Sequence, residues 1–109
     1  AMIQKAWRDD PSAMPIDEIM AMATSNAGKA LGLPIGRLEE GYAADILIVD
    51  TTGYSFLSPA PFEANLIYSA HSECIDSVIC KGRFVMRERV VPGEEQILAD
   101  ARGVLNRIL

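Results

Sequence analysis

Histidine is nearly missing from this chain: His71 is the only one in 109 residues. A protein zinc site takes three or four ligands, mostly imidazoles and thiolates. One histidine and two cysteines, Cys74 and Cys80, do not supply such a set. The cysteines make no disulfide framework either. Six positions apart on one predicted strand, they would lie ~20 Å from each other, too far for a bridge. They read as free thiols of a cytoplasmic protein. Positive charge is also scarce, with ten basic residues against fifteen acidic ones and a formal net charge of −5. Nucleic-acid binding needs clustered Lys and Arg to neutralise phosphates, so that class is excluded. No apolar run approaches the ~20 residues that span a membrane. Gln4, Lys5, Arg8 and Asp9 break up the start, so no signal peptide is expected there.

Half of the residues are apolar, enough for one folded unit with a core. Residues 2–10 read as a short helix, closed where Asp10 meets Pro11. Pro15 suits a helix start, and Asp17 and Glu18 suit its first turn. Ile16, Ile19, Met20 and Ala23 recur at helical spacing. Thr24 and Ser25 are capping types, so a second helix restarts there and stops at Gly32, or one kinked helix runs through. Arg37-Leu38 reads as a very short strand. Ile46–Val49 reads as a strand covered on both faces. Residues 54–61, with Pro59 and Pro61, read as an extended loop, and residues 62–70 as a helix. Ile75–Cys80 and residues 84–86 read as a hairpin turned at Lys81-Gly82. Val90-Val91 extends a third short strand. Residues 94–109 form the clearest helix, with Ile97, Ala101, Val104, Leu105 and Ile108 on one stripe.

Four segments in order carry a resemblance: MPIDEIMAMATSNAGKALGL (residues 14–33), IGRLEEGYAADILIVD (35–50), NLIYSA (65–70) and SVICKGRFVM (77–86). Together they resemble the C-terminal end of metal-dependent amidohydrolases, in the branch of cytosine/adenosine deaminase-like and chlorohydrolase-like enzymes. The resemblance implies an α+β unit: a small mixed β-sheet or partial β-sandwich with N-terminal helices, one intervening helix and a C-terminal helix. Residues 1–33 would correspond to the last barrel helix and the short helix after it. Residues 34–109 would form the small β-rich domain, the two parts folding together as one unit. The parent enzyme would hydrolyse a carbon–nitrogen bond that is not a peptide bond, most plausibly by deaminating a nucleobase- or nucleoside-type ring with a divalent metal such as zinc.

In that family the metal ligands come from an early His-x-His strand, later barrel strands and an aspartate on the last barrel strand. No position here matches them, so no catalytic, cofactor-binding or metal-ligating residue is carried over, and the chain alone is expected to be inactive. The expected partners are the missing barrel portion or further copies of the chain, meeting at sheet edges left open by absent N-terminal strands. The competing reading is a free-standing, self-associating interaction module. A third reading makes His71 and Cys74 a nucleophile pair, against the plainer one of a helix-to-strand loop. Asp45 precedes a strand where a carboxylate can accept backbone N–H bonds and pin a turn. Glu88-Arg89 stands where the family often has a glycine at a hairpin tip. Ser12, Ser25, Ser58 and Ser69 lack the Gly-x-Ser-x-Gly context of a nucleophile elbow.

Overall fold

The computed structural model describes residues 2–108. Helix α1, Met2–Arg8, stops two residues short of the expected end, because Asp9 turns left-handed at φ 49°. The Asp10 carboxylate then accepts the N–H and hydroxyl of Ser12 and holds the turn before the next helix. Helix α2, Ile16–Ala23, follows Pro15 and carries Asp17 and Glu18 in its first turn. At Thr24 the chain leaves helical angles, and the threonine hydroxyl donates back to the Met20 carbonyl at 2.6 Å. Helix α3, Ser25–Leu31, restarts at once and ends on Gly32 in the left-handed conformation. The expected restart therefore gives two helices with a break at Thr24, not the alternative single kinked one.

The break receives the chain that follows. Gly36 has φ +79°, and a Cβ there would collide with the Thr24 carbonyl. Gly28 is similarly tight, its missing Cβ leaving room for the Ile35 carbonyl. Segment 33–36 thus lies directly on α3, which a larger residue at either glycine would prevent.

Three strands form the sheet: β1 (Ile46–Val49), β2 (Ile75–Cys80) and β3 (Arg83–Met86), in the order β1-β2-β3. Both pairs are antiparallel, so no parallel pair makes the sheet mixed among the described residues, although the class is α+β as expected. The chain between β1 and β2 leaves and re-enters at one end of the sheet. It holds a 3-10 turn at Tyr54–Phe56, helix α4 at Phe62–Tyr68 and a second 3-10 turn at Ser72–Cys74. The expected extended loop over residues 54–61 is thus partly helical, with Phe56 stacked on Phe62 at 5.7 Å. Helix α5, Glu94–Ile108, closes the chain.

Three further expectations change. Arg37-Leu38 forms no strand; Arg37 instead pairs with Glu39 at 3.6 Å and lies over the Tyr42 ring. Val90 makes a single bridge to Arg87 rather than a strand, because the intervening two residues are a tight turn. β1 is not covered on both faces: Leu47 is 61 % exposed, because the groove that it lines stays open, and Ile48 is 43 % exposed.

The best-buried residues are small or polar. Ala13 and Cys74 are the buried apolar ones, and Ser55, Asn65 and Ser77 are the buried polar ones. Asn65 donates to the Ser58 and Ala60 carbonyls, both at 3.1 Å, and fastens the loop before α4. Larger apolar side chains instead line an open groove of about 560 Å³ between α2, α3, α4 and the sheet. Met20, Ala27, Leu66, Ile46 and Val78 are among its walls. The Cα radius of gyration is 17.8 Å, against about 13 Å for a closed domain of this length. The difference records surfaces that have not closed on one another.

Gly36→Ala combines a left-handed φ with a backbone collision and is expected to cost roughly 3 kcal/mol in chemical denaturation. Gly53→Ala, where a Cβ meets nothing within 4 Å and φ is −75°, should stay within about 0.5 kcal/mol of the parent.

Candidate functional site

The polar chemistry of the chain gathers at the two ends of β1. At its start, the Asp45 carboxylate accepts the Lys81 N–H at 2.7 Å, 36 residues away. It therefore pins the β2–β3 turn rather than its own. That turn has φ 48° at Lys81 and 75° at Gly82, the paired left-handed geometry of a two-residue hairpin.

At the other end of β1, Asp50 accepts the Thr52 N–H at 2.9 Å and the Thr52 hydroxyl at 2.7 Å. Its second oxygen meets the Arg89 guanidinium at 2.6 Å. Arg89 also donates Nε to the Glu73 carbonyl at 3.3 Å and its backbone N–H to the Asp76 carbonyl at 2.7 Å. The Tyr54 hydroxyl donates to the Glu73 carboxylate at 2.6 Å. These bonds hold Asp50 at about 2, well below its ordinary value, with the Thr52 hydroxyl first among the causes and Arg89 adding to it. Tyr54 is raised, because its proton is shared with Glu73.

The Arg89 cluster explains a turn that lacks glycine. Glu88 and Arg89 have φ 51° and 65°, angles that non-glycine residues adopt at some cost. Four bonds converge to offset it: the Asp50 ion pair, the two Arg89 backbone-directed bonds, and the Glu88 N–H donated to the buried Ser77 hydroxyl at 3.0 Å. Sequence reasoning missed Asp50, Tyr54 and Glu73. The available signal was the glycine-free tip at Glu88-Arg89, which demands outside support.

His71 and Cys74 are not brought together chemically. His71 is exposed and Cys74 buried, and the bond between them runs through the backbone, Cys74 N–H to the His71 carbonyl at 3.0 Å. Both cysteines are free thiols. Among the described residues no cluster of three or more His, Cys, Asp or Glu side chains is arranged to hold a metal ion. Glu39 pairs with Arg37, and Asp45 and Asp50 hold turns. Among the described residues the geometry is that of a scaffold with an open apolar groove.

Comparison with known proteins identifies the scaffold. The profile of the Amidohydrolase family matches residues 1–85. This chain belongs to the amidohydrolase family. A 5'-deoxyadenosine deaminase of Methanoregula boonei is 36 % identical over the whole chain, which covers 25 % of that protein. A 5-methylthioadenosine/S-adenosylhomocysteine deaminase of Aquifex aeolicus is 38 % identical, again over the whole chain and 26 % of its own length. Among solved structures, a zinc-bound adenosine deaminase from Xanthomonas campestris superimposes with a TM-score of 0.88 at 26 % identity, over 98 % of this chain and 25 % of that one. The chain thus spans about a quarter of the length of the amidohydrolases it matches. A family metal does not fit its residues, since one exposed histidine and separated carboxylates are not a zinc ligand set.

Because Asp50 titrates lower in the fold than an ordinary aspartate, its contribution is fully present above about pH 4 and is lost as pH falls towards 2. The protection of the Glu88 and Arg89 amides, relative to free-peptide exchange at the same pH, should fall over that window, and Asp50→Asn should show the lowered protection already at pH 7, by roughly tenfold or more.

Proposed function

We propose that this chain is the C-terminal part of an amidohydrolase that hydrolyses non-peptide carbon–nitrogen bonds, with nucleoside-type deamination as its reaction. The observation that carries the reading is the whole-chain identity to several deaminases, 36 % and 38 % for the two above. Residues 1–33 serve as the last barrel helix and its successor, and residues 34–109 as the small β-rich domain. Their task is mechanical. The groove floor presents Ile46, Val78 and Leu66 to an apolar layer, and the pinned turns keep the sheet edge in one register. The groups that hold a divalent metal and move protons belong to the remainder of the enzyme. The missing barrel portion, or a second copy, is the partner of the open surfaces. Free, unbridged cysteines agree with a cytoplasmic setting.

A second reading is a self-associating module without a catalytic parent. It is favoured by one observation, the open outer edges of β1 and β3 in a three-stranded sheet.

The test measures zinc and ammonia. The 109-residue chain, incubated with zinc and dialysed, is expected to hold far less than one equivalent and to release no ammonia from 5'-deoxyadenosine or 5-methylthioadenosine. Stoichiometric zinc with turnover by this chain alone would overturn the division of labour. A longer product of the same gene that carries a His-x-His segment should deaminate one of these substrates; an inert one would favour the module.

A further inference from the structure

Helix α5 stands apart from the sheet and from the other helices, with no substantial packing against any of them. Its fifteen residues are exposed throughout, including Ile97, Val104 and Ile108. Isolated helices of this length are marginal in water, and Gly103 weakens this one further. Something must cover its apolar stripe for the helix to persist. The helix lies beyond the residues 1–85 that match the family profile but within the whole-chain matches to the two deaminases.

The stripe has the spacing of a helix pair. Ile97, Ala101, Val104 and Ile108 follow one another at intervals of four, three and four, the repeat of a two-stranded seam. Charge along the helix is divided. Glu94, Glu95 and Asp100 occupy the first half, and Arg102 and Arg107 the second. Such a helix is complementary to a reversed copy of itself. Antiparallel pairing sets Ile97 against the partner's Ile108 and Ala101 against the partner's Val104. It also brings Asp100 beside the partner's Arg107, twice by symmetry. Asp100 now engages Gln96 of its own helix at 2.8 Å, one turn back, and keeps an oxygen for a second donor. A parallel pair would set like halves together.

We propose that α5 is a self-recognition face through which two copies of this chain pair as an antiparallel, two-fold helix dimer. The inference stands independently of the hydrolase reading. A fifteen-residue helix is about 22 Å long, so the contact falls at the low end for specific interfaces.

Sedimentation velocity across about 1–500 µM tests this on the 109-residue chain and two variants. The parent is expected to dimerise. Asp100→Arg and Arg107→Asp each place like charges opposite one another and should weaken dimerisation roughly tenfold. Mixed in equal amounts, the two variants should dimerise again, because each supplies the charge the other lacks. Misfolded variants would not rescue one another in this way. A parent that stays monomeric at 500 µM overturns the proposal and leaves the helix to the rest of a longer chain. Dimerisation that neither variant changes, or that mixing fails to restore, overturns it too and moves the contact to the sheet edge.

Discussion

Two aspartates bracket the four residues of β1, and the order of the sheet depends on them. Asp45 holds the turn that opens β3, through the Lys81 N–H, and Asp50 holds the turn beyond β3, through Arg89. β1 and β3 are not neighbours; β2 lies between them. A carboxylate at each end of β1 therefore ties the two outer strands across the middle one. The register is irregular in both pairs, between Ile48 and Val49 and between Val78 and Ile79. Such irregularities let strands slip, and fixed turns at both ends oppose that. Ser77, among the most buried residues, adds a third tie by accepting the Glu88 N–H from inside the sheet.

The same economy leaves the apolar surface unfinished. Polar fastenings hold the loops in place, while Leu47, Leu66 and Met20 line an open groove and α5 carries its stripe to solvent. In a self-sufficient domain of this size those groups would meet in a core. Membership of the amidohydrolase family, with about a quarter of its relatives' length, gives the open groove a reason. The unit is shaped to be one wall of something larger.

Much of the helical architecture was legible. Pro15 with Asp17 and Glu18, and Gly32 after Leu31, mark starts and stops through local bonds and angles, so α2 and α3 fall where expected. The Lys81-Gly82 turn was legible for the same reason. Arg37-Leu38 misled because two residues make no strand without a neighbouring strand to bond. Val90-Val91 misled because two left-handed residues before it leave length for one bridge only. The likeness to deaminases was legible from four short motifs in order, although none of those motifs carries the chemistry.

By itself the sequence determined the helices, the hairpin turn and the family, because each rests on neighbouring residues or on short ordered motifs. Only the tertiary structure decided which carboxylate meets which turn. Asp50 and Arg89 are 39 residues apart and Asp45 and Lys81 36, and no local pattern encodes either distance. It also decided that the apolar stripes of α2 and β1 face a groove that stays open and that the stripe of α5 faces solvent. Hydrophobic periodicity states that a face will be covered; the arrangement of the other elements states whether this chain does the covering.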